Sequence, residues 1–406
     1  MSFFLTIDMN RIMKKNKLLL CLEELQLNGV RSSFLEFLKI IDRDKFEVCL
    51  FAYTHSGPYW KEVYTYADKV LPEIPDYKIA REYSFKALKF AFLHGYWKLG
   101  LKRLIYPILN RMGCNVNTYT LIFQGPEIPG EYDIAIGYVP TSLFNVIQYK
   151  VNARKRIIWQ HSDYRYDVQE WKFAHFDKLD ALVCVGKGIE SLLRHDYPEL
   201  KDKLFTVHNV LDYSSVVDKA KCTLLFPKRE GVFRLVTVGR FSPQKTQLII
   251  PNIAKIIKKL GYKFEWLLIG DDTEKYGKKV HQLCMENNLL DVIKFLGKQS
   301  NPHPIVKSAD IVIVPSTFEG WGLVVTEAIA LGVPTLVSDI PVFHEQCKPN
   351  DIIPLDENIF ARAIVERFDK LLKGEKLFVN TECLSLVTFE NVKKEFENVL
   401  CKIGVL

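Results

Sequence analysis

The sequence has no apolar run of about 18 residues, the length that a membrane-spanning helix requires. The apolar run near its beginning, Leu18 to Leu22, is too short for a signal peptide, and Glu23 and Glu24 interrupt it. The chain also has no internal repeat of solenoid period and no low-complexity tract. We therefore expect a cytoplasmic protein, or one that is peripheral on the inner face of the cell membrane.

Paired cysteines are absent as well. Nine cysteines are spread singly between Cys21 and Cys401, the count is odd, and none belongs to a C-x-x-C pair. Cysteine used in this way is typical of a reducing compartment, because small secreted domains generally pair their cysteines. The pattern supports the expectation of a cytoplasmic protein.

A strong excess of one charge is missing too, since the formal net charge is only +7. With 48% hydrophobic and 25% charged residues, the composition is that of a globular protein rather than a disordered one. The 406 residues suffice for two domains with separate cores. The small positive charge allows attraction to phosphates, nucleic acid or an anionic membrane, but does not choose among them.

What the chain does contain is a regular alternation of strand-like and helical segments. In the first half this alternation predicts an α/β domain with a doubly wound parallel sheet, as in Rossmann folds. We place this domain at residues 1–212, with its first helix from residue 33. The predicted strands are Leu18 to Leu22, Phe46 to Tyr53, Glu131 to Gly137, Arg156 to Gln160, Leu179 to Val185 and Leu204 to His208.

A second series of the same kind follows a polar linker at residues 213–231. It predicts another Rossmann-like domain over residues 213–388 and a final helix from Phe389. In open α/β sheets, ligands bind outside the carboxyl ends of the strands, so we expect the binding residues of this domain to lie there. The predicted strands are Phe233 to Val238, Phe264 to Ile269, Val292 to Leu296, Ile311 to Val314 and Thr335 to Val337.

The most informative strand end is the fourth one of the second domain. Gly320 and Gly322 follow it and allow a ligand to approach the backbone closely. A helix that begins near Leu323 would direct free N–H groups and the positive end of its dipole at that ligand. The turn therefore predicts a phosphate site, with Glu319 and Glu327 on either side of it.

Two basic residues follow the first strand of the second domain. Arg240 and Lys245 can neutralise a diphosphate as fixed cations, without a metal ion. On its own, such a loop would be interpreted as carrying two ordinary surface charges. Its position at the carboxyl edge of the sheet that also carries the glycine turn favours the binding interpretation.

A divalent metal ion held by carboxylates is the alternative way to neutralise a diphosphate. Asp271 and Asp272 form an acidic pair of the kind that elsewhere holds magnesium, although a solvated turn explains them equally well. Adjacent aspartates point in different directions, and no third ligand is evident. We therefore expect no metal ion and no cofactor.

His161 stands at the carboxyl end of a predicted buried strand, where Ser162 and Asp163 can orient its ring. A single histidine is more often structural, so only this position favours a site role. The two glutamates have alternatives as well. Glu319 and Glu327 could be the acid and nucleophile of a glycoside hydrolase or plain helix N-terminal charges, but a glutamate inside a helix suits a hydroxyl contact better.

Residues 81–111 are helical in pattern, aromatic and basic. Their interleaved aromatic residues and lysines are typical of surfaces that rest on anionic lipid headgroups. A helix pair that buries its aromatic residues and leaves its lysines solvated explains the same pattern, and we prefer it. An anionic membrane surface stays as the alternative partner. We expect no nucleic-acid partner, because no recognisable binding module accompanies these residues.

Taken together, these residues resemble the retaining glycosyltransferases of family four, which have the GT-B architecture of two Rossmann-like domains facing across a cleft. The resemblance rests on Gly239-Arg240 with Lys245 and on Pro315-Ser-Thr-Phe-Glu319-Gly-Trp-Gly-Leu-Val-Val-Thr-Glu327, which has the E-x7-E spacing of the family. It extends over residues 17–400 and is specific over residues 232–345.

The resemblance implies a role for each candidate residue. Glu319 and His161 would act at the transferred sugar, Arg240 and Lys245 on the donor diphosphate, and Glu327 on the ribose hydroxyls. Asn28-Gly29 stands where the family often has paired glycines. The residues that would bind the donor are Arg240, Lys245, Glu327, Gly29, and Gly322, Leu323 and Val324 through their backbone amides.

The resemblance further implies metal-independent transfer of a hexose-type sugar, with retention, from a UDP-sugar to a cell-envelope glycan or lipid-linked acceptor. The first domain would bind the acceptor, and the helix at residues 389–406 would pack back onto that domain. A nucleotide-sugar epimerase of the same fold is the rival enzyme. A non-catalytic member that binds nucleotide sugar or scaffolds glycan assembly is the rival outside enzymes.

Overall fold

A computed structural model of the chain describes residues 15–25, 29–56, 60–81, 85–112, 125–166, 171 and 174–406. The chain forms two compact units. The first comprises Met1–Trp159, Asp167–Leu182 and Val399–Leu406, and the second comprises Gln160–Tyr166 and Val183–Asn398. The domain limits that we expect at residues 212 and 388, and the packing of the last helix, stay predictions.

The first sheet has the strand order β3-β2-β1-β4-β5-β6-β7. The strand pairs β1–β2, β1–β4, β2–β3 and β4–β5 are all parallel. Its six predicted strands are present, and the additional strand β3 is only two residues long. The strands are β1 Asn16–Leu22, β2 Phe46–Ala52, β3 Lys69–Val70, β4 Ile128–Gly137, β5 Val151–Gln160, β6 Ala181–Cys184 and β7 Leu204–Thr206.

The second sheet repeats this order as β10-β9-β8-β11-β12-β13, and all its neighbouring strands are parallel. The order reverses next to its first strand, as in doubly wound folds. The five predicted strands are present, and β13 is a further two-residue strand. The strands are β8 Phe233–Val238, β9 Phe264–Ile269, β10 Ile293–Phe295, β11 Ile311–Val314, β12 Thr335–Ser338 and β13 Ile352–Ile353.

Helices connect most of these strands, as parallel pairing requires. The α-helices described here are α1 Gly29–Ile40, α2 Trp60–Tyr66, α3 Pro75–Arg81, α4 Phe85–Leu93, α5 Trp97–Arg111, α6 Leu143–Tyr149, α7 Lys187–Asp196, α8 Tyr213–Lys219, α9 Ile250–Lys259, α10 Lys275–Glu286, α11 His303–Lys307, α12 Leu323–Ala330, α13 Glu357–Leu372 and α14 Phe389–Lys402. None of them combines the length and apolar character that a bilayer span needs.

One helical prediction needs correction. The first helix begins at Gly29, earlier than residue 33, while Asn28 lies outside the described residues. The helix pair that we prefer for residues 81–111 is present as α4 and α5, and Gly95 between them has a left-handed φ of 80°. The last helix, α14, begins at Phe389 as predicted.

The core of the second sheet explains why its strands were easy to predict. Helices cover the sheet, so β9 and β11 are buried at every residue. β11 appears in the sequence as a continuous apolar run, and Glu265 is the one charged residue of β9. Helix α9 places Ile250, Ile253 and Ile257 on one side at helical spacing, and all three are fully buried. This rigid sheet positions the loops at its carboxyl edge.

Candidate functional site

The turn between β11 and α12 lies at the centre of the candidate site. Gly322 precedes α12 with a φ of 80°, and a Cβ atom there would lie 2.7 Å from Cε1 of Phe343, so only glycine fits. The first N–H groups of α12, at Leu323 and Val324, have no carbonyl partner within the helix. The turn thus has the open helix N-terminus that suits an anion.

Glu319 is held in this turn by two contacts. Its carboxylate is only 7% exposed and accepts a hydrogen bond of 2.7 Å from the hydroxyl of Ser316. The same oxygen contacts Nζ of Lys245. The structure therefore brings together a carboxylate and a cation that are far apart in sequence, in the charge-assisted pairing that fixes a buried carboxylate most strongly.

The loop that carries Lys245 is bonded directly to the turn. The backbone N–H of Thr317 donates to the carbonyl of Gln244 at 2.8 Å, and the amide of Gln244 donates to the carbonyl of Phe318 at 3.1 Å. Thr246 follows with φ 54° and ψ 31°, which is a left-handed conformation that is unfavourable for a β-branched residue. Backbone strain of this kind is common at functional sites.

Arg240 begins the same loop with an exposed side chain. The backbone beside it is fixed by close packing, because a Cβ atom on Gly270 would lie 2.0 Å from the carbonyl oxygen of Gly239. The side-chain amide of Gln247 donates to the Arg240 carbonyl at 3.0 Å. Within the described residues the guanidinium has no hydrogen bond or ion pair, so it is available to an anion.

The aspartate pair has other partners. Thr273 donates to the Asp271 carboxylate from its hydroxyl at 2.6 Å and its backbone N–H at 3.1 Å, and these bonds lower the pKa of Asp271. Asp272 pairs with Nε2 of His281 at 2.6 Å. The described part of the chain contains no cluster of three or more histidine, cysteine or acidic side chains. Independence of metal stays a prediction.

His161 follows β5 as predicted and lies against the turn. A Cβ atom on Gly320 would come within 1.7 Å of the His161 carbonyl oxygen, so Gly320 permits this close approach. The carboxylate of Asp163 accepts a hydrogen bond from Nε of Arg165 at 2.9 Å. The structure therefore joins His161 to the turn through the backbone, and its role at a sugar stays a prediction.

Glu327 occupies a different environment, inside α12. Its Oε2 lies 3.7 Å from Nε2 of His303, a buried atom without a hydrogen-bond partner. Burial raises the pKa of Glu327 to about 7, against a small opposing effect of Lys219. Burial, assisted by the charge of Lys219, lowers the pKa of His303 to about 4. A neutral imidazole therefore faces a carboxyl group that titrates near neutrality.

Gly29 is the remaining predicted donor residue. It is the first residue of α1, at the carboxyl end of β1 in the first sheet. Helix N-termini at this position of a doubly wound sheet are suited to anions. Its role in donor binding stays a prediction.

Several residues of this region were not predicted. Ser316, Gln244 and His303 are polar side chains whose partners are distant in sequence. The rings of Tyr166 and Phe318 stack with centroids 3.6 Å apart. Phe318 directly precedes Glu319, and Tyr166 is five residues after His161. Among these residues, only Phe318 could have been found from the sequence, because it directly precedes the predicted site residue Glu319.

Comparison with known proteins places the turn and the basic loop inside a segment that matches one protein family. Residues 226–381 match the family described as glycosyl transferases group 1. The O-antigen chain mannosyltransferase RfbU of Salmonella typhimurium is 26% identical over 77% of this chain and 79% of its own. The O-antigen biosynthesis glycosyltransferase WclY of Escherichia coli is 31% identical over 43% of this chain and 46% of its own. For three further curated relatives, the match covers between 26% and 57% of their length.

Solved structures agree on the fold. Anabaena HepE, crystallised in complex with UDP-glucose, has a TM-score of 0.64 at 13% identity, covering 95% of this chain and 99% of that one. The two parallel-sheet α/β domains of the present chain have the GT-B architecture. The segment that matches glycosyl transferases group 1, residues 226–381, contains all six strands of the second sheet.

Proposed function

We propose that the protein is a retaining glycosyltransferase of family four, with the E-x7-E pair Glu319 and Glu327. It transfers a hexose-type sugar from a UDP-sugar to a cell-envelope glycan or lipid-linked acceptor. The observation that carries the proposal is the contact of Lys245 with Glu319 at the open N-terminus of α12. This contact lies inside the segment that matches glycosyl transferases group 1.

In this proposal each charge has a separate task. Arg240 and Lys245, with the first amides of α12, neutralise the diphosphate. Glu319 binds hydroxyls of the transferred sugar and Glu327 binds those of the ribose. The bond from the anomeric carbon to the diphosphate oxygen breaks, the bond to the acceptor oxygen forms on the same face, and the acceptor proton passes to a donor phosphate oxygen. No metal ion takes part, because fixed cations supply the positive charge.

The relatives motivate the choice of substrates. RfbU and WclY are named for O-antigen synthesis, so an envelope glycan is the acceptor class to test first. HepE was crystallised with UDP-glucose, and UDP-sugars are accordingly the first donors to test. A thermal-shift screen of nucleotide sugars, in which the true donor raises the Tm most, tests this choice directly.

The decisive experiment measures UDP release from UDP-sugars with a chelator present. Wild type should stay active, and Lys245→Ala should lose about 10²- to 10³-fold in kcat/KM, since it removes a charge from the leaving group. Lys258→Ala is the matched control, because Lys258 pairs with Asp291 at 2.8 Å on the surface. Activity that the chelator abolishes would refute metal independence.

Omitting the acceptor separates the rival functions. An epimerase would still convert its donor sugar, and the product would keep the nucleotide. A non-catalytic protein would bind the nucleotide sugar without any turnover. Retention is tested by the anomeric configuration of the glycoside product, and an inverted product would contradict the assignment to family four.

We extend the proposal to membrane attachment through α5. Exposed apolar side chains repeat there at helical spacing and form one face. They are Trp97 (60% exposed), Leu101 (50%), Leu104 (46%), Ile105 (47%) and Ile108 (57%). Gly100 of α5 meets the ring of Phe92 in α4, and the Trp97 ring lies edge-on to that same ring, with centroids 5.2 Å apart. Contact with Phe92 accounts for Trp97 but not for the other four side chains of this face, and exposed Lys98 and Arg111 suit anionic headgroups.

Vesicle sedimentation tests this attachment. Wild type should bind anionic phosphatidylglycerol vesicles, and the double variant Leu104→Glu/Ile108→Glu should lose that binding. Leu225→Glu is the control, because Leu225 is 74% exposed outside this face. Equal binding to neutral and anionic vesicles would refute the electrostatic contribution, and equal binding by the double variant would refute the face.

A further inference from the structure

His208, which follows β7, is a buried residue with two acidic partners. Its side chain is fully buried, with Nδ1 at 2.8 Å from Oε1 of Glu395 and Nε2 at 3.3 Å from Oε2 of Glu345. Its backbone N–H also donates to Oε2 of Glu395 at 2.9 Å. Each ring nitrogen thus faces a carboxylate oxygen, an arrangement that favours the doubly protonated imidazolium.

Each carboxylate is itself held in place. Oε1 of Glu345 accepts from the N–H of Gly188 at 2.7 Å, in the first turn of α7, where the helix dipole favours negative charge. Oε1 of Glu395 accepts from the side-chain amide of Asn391 at 3.1 Å, one turn earlier in α14. The network therefore connects α7, the 3₁₀ turn Pro341–Glu345 and α14 through a single ring.

The network also reaches the candidate site. The His208 ring packs edge-on against Trp321, with centroids 4.9 Å apart at 76°. Gln346, directly after Glu345, donates from its side-chain amide to the carbonyl of Trp321. The Trp321 indole N–H donates to the hydroxyl of Thr326 at 2.9 Å. Trp321 lies between Gly320 and Gly322, so its position determines that of the turn.

We propose that His208 is a positioning residue, which holds the turn of residues 319–323 in its anion-binding geometry through its bonds to Glu345 and Glu395 and its contact with Trp321. His208 touches no substrate. Its ring keeps two partly buried carboxylates paired, and the paired carboxylates hold Trp321 in place. That the turn binds a donor diphosphate rests on the function proposed above.

Other charged groups near this network are occupied elsewhere. On α7, Nε of Arg194 donates to Oε1 of Glu190 at 2.6 Å, and Arg194 also donates to the carbonyls of Lys201 and Leu204. Oε2 of Glu190 accepts from the hydroxyl of Thr206. The partners of the His208 ring are therefore the carboxylates of the 3₁₀ turn and α14. Burial acts to lower the pKa of His208, but the bonds to both carboxylates outweigh it and raise the pKa to about 9.

Hydrogen exchange of the nucleotide-free protein tests the positioning role. His208→Gln keeps a polar side chain but removes the charge, so amides of residues 319–324 should exchange about tenfold faster. His195→Gln is the matched control, because His195 also pairs with a carboxylate, Asp196 at 2.6 Å, but is 87% exposed. Equal exchange of residues 319–324 in both variants would overturn the proposal.

Kinetics provides the readout that a purely structural role would not change. At a temperature where both variants are folded, His208→Gln should raise the donor KM about tenfold and change kcat much less, because the turn binds the donor. An unchanged donor KM would overturn the role at the donor site. A wild type without turnover would refute the proposed function instead, and the exchange experiment would still decide the positioning.

A second variant covers the case in which His208→Gln does not fold. Glu395→Gln keeps the histidine and Glu345 and removes one charge at the far side of the ring. It should accelerate exchange at residues 319–324 in the same direction, since the ring would lose a carboxylate that fixes its orientation. Faster exchange confined to α14 would overturn the proposal.

Discussion

Glu319 and Glu327 belong to the same turn and helix, but their surroundings are opposite. The Glu319 carboxylate contacts the ammonium of Lys245 and the hydroxyl of Ser316. The Glu327 carboxylate faces the neutral ring of His303, and burial raises its pKa to about 7. Glu319 therefore has a cationic partner in the structure, whereas burial without such a partner disfavours the ionised form of Glu327.

The two buried histidines differ in the same way. His208 and His303 are both buried, but His208 has carboxylates at both ring nitrogens and a pKa of about 9. His303 has the charge of Lys219 nearby and a pKa of about 4. Burial alone therefore does not decide whether a side chain is charged, because the nearest partners outweigh or reinforce the loss of solvent.

Among the changes that test this comparison of the two glutamates, the largest effect should come from removing the charge of Glu319. Glu319→Gln leaves Lys245 without its carboxylate and weakens the proposed contact with the sugar. We expect kcat/KM to fall about 10²-fold, which corresponds to roughly 2.7 kcal/mol of transition-state stabilisation. Steady-state kinetics with the donor that gives turnover measures it. Glu382→Gln is the control, since Glu382 is 78% exposed and lies 3.6 Å from Lys348; equal kinetics of the two variants would contradict the prediction.

Glu327→Gln should have an effect on stability that depends on pH. The pKa of Glu327 is about 7 when folded, above the ordinary 4.5. The stability that the protonated carboxyl contributes is complete below pH 4.5 and is lost as pH rises through 7. Glu327→Gln should therefore match wild type near pH 4.5 and be more stable at pH 8. We expect about 1–2 kcal/mol, because a quarter of the side chain stays exposed.

Thermal denaturation between pH 4.5 and pH 8 measures this effect. Glu366→Gln, at an exposed position of α13, should show no such trend. The same Glu327→Gln variant should bind the donor more weakly at pH 8, because an amide oxygen accepts ribose hydroxyls less strongly than a carboxylate. A difference in Tm that stays constant over this range would show that Glu327 is ionised throughout.

The smallest effect concerns the strain beside Lys245. Thr246→Gly relieves the strain of a left-handed backbone conformation. Two effects oppose this gain: the unfolded chain becomes more flexible, and the hydrogen bond from the Thr246 hydroxyl to the Pro243 carbonyl is lost. We expect a net stabilisation of about 0.5–1 kcal/mol by urea denaturation. Asn288→Gly is the control, since Asn288 has φ 53° but asparagine tolerates it. Equal changes in the free energy of unfolding in both variants would contradict the presence of backbone strain at Thr246.

Much of the fold was predictable from local patterns. The limits of β8, β9 and β11 agree with prediction to the residue, because strands buried on both faces are rich in β-branched, aromatic and other apolar residues. The two-residue strands β3 and β13 were missed, because so short a run has no period. A helix pair was expected for residues 81–111, but the position of its break at Gly95 was not, since a single glycine inside a helical pattern is often tolerated.

The candidate site was predictable only in part. Sequence indicated the glycine turn and the basic loop, because glycines, cations and strand ends are local signals. The sequence did not indicate that Lys245 would form an ion pair with Glu319 in the absence of a phosphate ligand. The pairing depends on the loops after β8 and β11 lying at the same edge of one sheet, and those strands are neighbours only in space.

By itself, the sequence determined the alternation of strands and helices, the open helix N-terminus at Leu323 and the residues able to meet a diphosphate. These follow from the chain's own periodicity and backbone chemistry, which act over a few residues. Only the tertiary structure decided which side chains carry charge, as for His208, whose carboxylates lie 137 and 187 positions further along the chain. Protonation depends on the solvent and partners that packing supplies, and these are properties of the folded state alone.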